Sequence, residues 1–300
     1  MNPSASDFRR WEIPGVVTFS DTPGGLVRID ITTALSKAEV YLQGAHVTLF
    51  QPAGSGPLLF LSARSHFSPG KPIRGGVPVI FPWFGPHPSN AKLPAHGFAR
   101  TLPWEVESLA CDDGATVHLV LALAAGDATR LLWPHDFILR HHIVIGAQLG
   151  MALEVTNTSA QPFSFEEALH TYLAVSDVRQ VAVTGLGETP YLDKVDAARL
   201  KLQDAAPIRI TGETDRVYLN TRTTCTVADP GMGRSIHVEK SGSETTVLWN
   251  PWTAKAAAMA DFGDDEWPGM ICIETANAAE NAVTLAPGAS HTMRATVRGT

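Results

Sequence analysis

Apolar and polar residues alternate with a period of two along much of the chain. In "HTMRATVRG", Met293, Ala295 and Val297 fall on one side and Thr292, Arg294, Thr296 and Arg298 on the other. In "TVHLVLAL", Val117, Leu119, Leu121 and Leu123 alternate with His118, Val120 and Ala122. Strand-like runs recur in "LVRIDITTA", "AEVYLQGAHVTLFQP", "FILRHHIVIGAQLGMALEVTNTS", "RQVAVTGLG", "TTCTVAD", "RSIHVEK", "TTVLWN" and "MICIET". Successive side chains of a strand point to opposite faces, so this rhythm predicts sheets with one face buried. Clusters of Gly, Pro, Asn and Asp separate the runs as turns. So many half-polar strands predict an all-β chain of antiparallel sheets packed face to face.

Helical signal is sparse. "DATRLLWPHDF" predicts one short helix, with Asp127 as its cap and Pro134 as its stop. The Ala-rich "WTAKAAAMADFG" predicts a second, ending at Gly263. There is no β-α-β rhythm, no GxGxxG and no Walker signature, so a phosphate-cradling helix N-terminus is not expected. Without a repeat or a linker, residues 1–300 are expected to form a single large β-sandwich domain.

Composition narrows the partners. The 300 residues are 18% charged and 44% hydrophobic, an ordinary globular balance. The net charge of −7, with no basic tract, argues against a nucleic-acid partner. Apolar runs such as "VLALAA" are too short to span a bilayer, and "MNPSASDFRRWEIPG" has no signal-like apolar stretch. Cys111, Cys225 and Cys272 are odd in number and scattered, without CxxC spacing, which argues against a disulfide framework or a zinc site. A cytoplasmic protein without a membrane partner is the expectation.

Among the 11 histidines, His141 and His142 are strand neighbours that point to opposite faces, and His118 and His237 are expected to face solvent. With no HxH or HExxH spacing, no metal centre is expected. His170, in "PFSFEEALHTYLAVSD", ends a strand-like run rich in polar residues. It reads either as a satisfied core histidine or as a proton carrier facing a cleft. Glu274, in "MICIETANAAENAV", shares a face with Cys272 and is either a solvated strand end or a partly desolvated base. "DFGDDEW" holds Asp261, Asp264, Asp265 and Glu266, a loose likeness of a calcium loop that reads more simply as a solvated acidic turn. Arg74 in "IRGGVPVIFPWFGPHP" and Arg100 in "KLPAHGFAR" lie in Gly- and Pro-rich turns, beside His96 in the second case. They suit bidentate capture of phosphate or carboxylate, or else tie loop carbonyls together.

Taken in order, "IRGGVPVIFPWFG", "LPAHGFAR", "EEALHTYLAVSDV", "GLGETPYLDK", "TDRVY", "LWNPWTAKAAAMADFGDDEW" and "CIET" resemble the hexose-6-phosphate mutarotases, the glucose-6-phosphate 1-epimerase branch of the aldose 1-epimerases. The resemblance runs from about Arg74 to Glu274 and is specific as a combination. It implies a large antiparallel β-sandwich of the galactose-mutarotase type with a few short helices. It implies interconversion of the α and β anomers of a hexose 6-phosphate, without metal or organic cofactor, by a monomer. By motif, His170 is the general acid and Glu274 the general base, with the carboxylate ionised and the imidazole protonated. Arg74, Arg100, His96 and Asp215 are substrate-binding. One departure stands out: some members carry glutamine before "HGFAR", where this chain has Ala95, which leaves the preferred hexose phosphate open. A non-catalytic sugar-binding protein on the same fold would need neither His170 nor Glu274. A glycoside hydrolase would need two carboxylates, where one was expected here.

Overall fold

A computed structural model describes residues 3–300. Two eight-stranded sheets dominate it, and every pairing between named strands is antiparallel. The first runs in the order Ala182–Thr184, Cys225–Asp229, Arg234–Ser241, Ser290–Gly299, Leu149–Asn157, Phe137–Ile145, Thr116–Ala124, Glu105–Asp112. The second runs Arg199–Leu202, Pro190–Asp193, Thr214–Tyr218, Thr245–Asn250, Met270–Asn277, Glu167–Leu169, Val79–Ile80, and Tyr172–Ala174 also pairs with Met270–Asn277. A four-stranded sheet, Val17–Asp21 through His46–Pro52, and a two-stranded one complete the set.

The burial of each sheet follows its sequence pattern. Phe137–Ile145 and Leu149–Asn157 alternate buried and half-buried positions along their whole length. The continuous apolar runs Thr245–Asn250 and Met270–Asn277 are buried at every position, so the second sheet is covered on both faces. One core draws Leu119, Leu139, Leu153 and Val297 from the first sheet and Leu248, Ile271 and Ile273 from the second. That shared core makes the two sheets a sandwich. Truncating a side chain such as Leu139, wholly buried there, to Ala would cost about 2–5 kcal/mol.

The structure corrects both predicted helices. The first is Asp127–Leu132, but its cap is Gly126, whose N–H donates to Thr129 Oγ1 at 2.9 Å. Trp133 is already extended, because a residue before proline is disfavoured in the helical region. The second is Trp252–Ala258 and ends at Met259, well short of Gly263. Beyond it the chain is drawn off by Asp261, which pairs with Arg74, and by Gly263, whose N–H donates to Glu266. "AEVYLQGAHVTLFQP" is two strands, Ser36–Tyr41 and His46–Pro52, folded back on each other. Among the described residues no helix is long and apolar enough to cross a membrane.

Candidate active site

Three strands of the second sheet and two Gly-rich turns converge on a cavity of about 360 Å³. Its walls include Arg74, His96, Arg100, His170, Asp215 and Glu274. The six site residues expected from sequence are therefore in one place.

Strand register fixes His170 against Glu274. Glu167–Leu169 and Tyr172–Ala174 both pair with Met270–Asn277, with Leu169 opposite Thr275 and Tyr172 opposite Cys272. Continuing that register sets His170 directly opposite Glu274, where facing side chains approach most closely. The backbone bonds on either side hold this register: His170 N–H donates to Pro78 O, and Ile273 N–H donates to Thr171 O. His170 Nε2 lies 3.3 Å from Glu274 Oε1, with side-chain exposures of 9% and 1%. The imidazole stacks on Tyr172, ring centroids 4.8 Å apart, and meets the edge of Trp249. Asp215 sits on Thr214–Tyr218 opposite Trp249, which is itself opposite Cys272, so the cavity face extends across three strands.

The glycines of the two turns have steric reasons. Gly76, at φ 61°, would bring a Cβ within 2.2 Å of Val47 O. Gly97, at φ 70°, would bring one within 1.9 Å of Phe81 O. Only a residue without a side chain lets these turns press against the sheet, and the adjoining residues then carry Arg74 and His96 to the cavity. Arg74 donates through Nε and Nη2 to Asp261 and through Nη1 to Tyr172 Oη. Arg100 donates through Nη2 to Ala95 O at 2.8 Å, while its buried Nε has no partner. One nitrogen of this arginine thus ties a loop carbonyl, and the residue also lines the cavity.

His96 receives the Gly85 N–H on Nδ1 at 3.3 Å, which leaves the proton on Nε2. Its backbone N–H donates to Gly85 O, and its ring meets the edge of Phe84. Burial, with Arg100 and Arg74 nearby, lowers its pKa to about 3, so it is a neutral hydrogen-bond donor.

Burial also works against the charged forms expected for the central pair. It pushes Glu274 well above the ordinary carboxylate value, with Asp215 adding to the effect and Arg100 opposing it. It pushes His170 well below the ordinary imidazole value, reinforced by His96, Arg100 and Arg74. Desolvation thus disfavours both charged forms, the ionised carboxylate and the protonated imidazole. Asp215 is raised by burial too, against the lysines Lys255 and Lys194. Burial lowers Arg100 to about 10, whereas Tyr172 and Asp261 hold Arg74 above its ordinary value against the same burial penalty.

Other expectations fare unevenly. His141 is wholly buried and His142 is not, as their opposed directions required. The acidic turn is not simply solvated: Asp261 pairs with Arg74, Asp264 with Arg64, and Glu266 accepts from Ser62 Oγ and Ala63 N–H. The cavity holds two carboxylates, Glu274 and Asp215. Sequence reading also missed Tyr172, Trp249 and Lys255 at the site, although all three lie within motifs it had singled out. It missed Glu166 as well, whose carboxylate accepts from Phe84 N–H at 2.8 Å and from Ala279 N–H at 2.7 Å. One side chain thereby ties the His96 turn to the chain just beyond the Glu274 strand.

Comparison with known proteins gives a consistent picture. The family described as aldose 1-epimerase matches residues 27–298. A relative from Escherichia coli K12, named "Putative glucose-6-phosphate 1-epimerase", is 40% identical over 244 residues, 81% of each chain. The crystal structure of a "putative mutarotase" from Salmonella typhimurium superposes with a TM-score of 0.90 at 33% identity, covering 96% of this chain and 95% of that one. A galactose mutarotase related enzyme from Lactobacillus acidophilus, 15% identical, shares the fold with a TM-score of 0.72 over 91% of this chain and 97% of its own.

Proposed function

The chain belongs to the aldose 1-epimerase family, and from that premise we propose that it interconverts the α and β anomers of a hexose 6-phosphate, with glucose 6-phosphate as the favoured candidate. The observation that carries this reading is the contact of His170 Nε2 with Glu274 Oε1 at 3.3 Å inside a cavity that Arg100 also lines.

Ring opening moves two protons about one carbon. The anomeric hydroxyl gives its proton to the Glu274 carboxylate while the ring oxygen takes one from the His170 imidazolium, and the bond from C1 to the ring oxygen breaks. The aldehyde turns its other face to the C5 hydroxyl. Closure returns both protons with the roles reversed. The two reacting oxygens share one carbon, so acid and base must lie side by side, as cross-strand neighbours do. A positioned acid and base each contribute typically about 10²–10⁴-fold.

The burial shifts suit this cycle. With one proton on the pair, the charged form serves the closed ring and the neutral form accompanies the open aldehyde. Free groups would keep the proton on histidine. Burial raises the carboxyl and lowers the imidazole, which draws the two forms closer in energy and eases the transfer.

His96 Nε2–H and Asp215 bind sugar hydroxyls, and Arg100 meets the phosphate through charge-assisted hydrogen bonds. Arg74 joins it, though with less effect, because Asp261 offsets its charge. The two carboxylates do not by themselves favour hydrolysis, since His170 faces Glu274 directly; a reducing-sugar release assay separates the two reactions. Anomer-exchange NMR on glucose 6-phosphate, galactose 6-phosphate and glucose tests the reading. Faster exchange of a phosphorylated sugar supports it, and equal or faster exchange of the neutral sugar contradicts the assigned substrate.

A further inference from the structure

Four cations line the cavity: Arg74, Arg100, Lys194 and Lys255. Two of them are already matched. Arg74 is ion-paired with Asp261 at 3.1 Å, and Lys255 lies 3.0 Å from Glu213 and 3.9 Å from Asp215. Arg100 has no carboxylate within ion-pair distance among the described residues, and neither has Lys194. Arg100 is half-buried, whereas Lys194 is exposed and stands at the rim.

The surroundings of Lys194 keep it free. It follows Asp193 at the tip of the hairpin formed by Pro190–Asp193 and Arg199–Leu202. Its two acidic neighbours in sequence are engaged elsewhere. Asp193 binds Lys201 Nζ at 2.7 Å and accepts the Val195 N–H, and Asp196 binds the same ammonium at 2.8 Å. One lysine thus gathers both acids of the tip and leaves the other unmatched beside the cavity. The tip is also held in an uncommon backbone shape, with Ala197 and Ala198 at φ 51° and 55°. Non-glycine residues persist at positive φ where surrounding contacts fix them.

We infer that Lys194 is a specificity-determining residue that holds the phosphate of the sugar at the rim of the cavity that Arg100 also lines. A phosphate monoester carries a charge of about −1.5 to −2 near neutral pH. Two otherwise unmatched cations, one fixed and one on a flexible stem, suit such a dianion better than one ion-paired arginine. The lysine point charge tolerates different approaches of the phosphate, so it admits more than one hexose 6-phosphate. This assignment rests on the hexose-6-phosphate reading above.

Anomer exchange of glucose 6-phosphate and of glucose is measured on wild type, Lys194→Met, Lys194→Arg and Lys37→Met, the last removing a surface charge outside the site. In Lys194→Met the ratio of kcat/KM for phosphorylated over neutral sugar is expected to fall about tenfold, through KM. Lys194→Arg restores most of the ratio and Lys37→Met leaves it unchanged. Glucose exchange, retained in every variant, shows that the site is folded. Inorganic phosphate inhibits glucose exchange less in Lys194→Met than in wild type. If wild type favours the phosphorylated sugar and Lys194→Met keeps that ratio within about twofold, Lys194 is not the phosphate residue and the substrate reading survives. If wild type shows no such preference, both inferences fall together.

Discussion

His170 Nε2 and Glu274 Oε1 are 3.3 Å apart at directly opposed positions on neighbouring strands. The pair therefore titrates as a unit whose working form carries one proton. That form has no net charge, whichever partner holds the proton. Gaining a second proton or losing the first leaves a net charge in a desolvated place, and burial disfavours both. The pH profile of kcat/KM should be a bell wider than the interval from 4.5 to 6.5 that separates the ordinary values of the two groups. A bell narrower than this would show that the pair is well solvated in the working enzyme.

Arg100 should dominate the preference for phosphorylated sugars. Arg100→Met removes a cation without a carboxylate partner, and the ratio of phosphorylated to neutral turnover should fall about 10- to 150-fold. Arg74→Met removes a cation whose charge Asp261 already offsets, so its ratio should fall less. The comparison is made within each variant, so that a general folding defect cancels. Equal falls in both variants would show that Asp261 does not offset Arg74.

Glu166 should act on the site through its neighbours. Glu166→Ala leaves the Phe84 and Ala279 N–H groups without their acceptor, a loss of about 1–3 kcal/mol in stability measured by urea unfolding. The Phe84–Gly85 turn that orients His96 then loosens. KM for the sugar should rise more than kcat falls, since the His170–Glu274 pair is untouched. An unchanged KM in a destabilised protein would leave Glu166 with a purely structural role.

Much of this architecture was legible in the sequence, for identifiable reasons. Alternation marked Phe137–Ile145, Leu149–Asn157 and Ser290–Gly299 because one face of their sheet is buried and the other is wet. Motif resemblance located the six cavity residues. What stayed hidden depends on contacts remote in sequence. The acids of "DFGDDEW" meet Arg74, Arg64 and Ser62 from the far end of the chain, so no local pattern distinguishes them from a solvated turn. The protonation of His170 and Glu274 depends on burial, which a residue's identity does not carry. The short strands Pro190–Asp193 and Arg199–Leu202 are too brief and too exposed to show a period.

Acid should weaken the fold through two histidines behind the site. His46 and His141 are wholly buried, bonded to Gly75 O at 2.7 Å and Ala45 O at 3.0 Å, and burial lowers each to about 4. The unfolded chain takes up these protons near 6.5, so it binds more protons than the native state between 6.5 and about 4. Stability is then full above 6.5 and falls as pH drops through this window, by about 3 kcal/mol for each histidine. Urea unfolding across the window measures the slope, and His141→Gln should flatten it by about one proton's worth. A slope unchanged by that variant would mean that His141 is protonated in the native state.

The most direct measurement is anomer-exchange NMR on glucose 6-phosphate with wild type and Glu274→Gln at equal concentration. The amide keeps the shape of the carboxyl but cannot accept the anomeric proton. Exchange should fall by about 10²-fold or more while the fold is retained. His170→Asn should fall similarly, and because the two act in one exchange the double variant should be little worse than either. Near-wild-type exchange in a folded Glu274→Gln protein, its amide verified by mass, would remove Glu274 from the role of base and contradict the account.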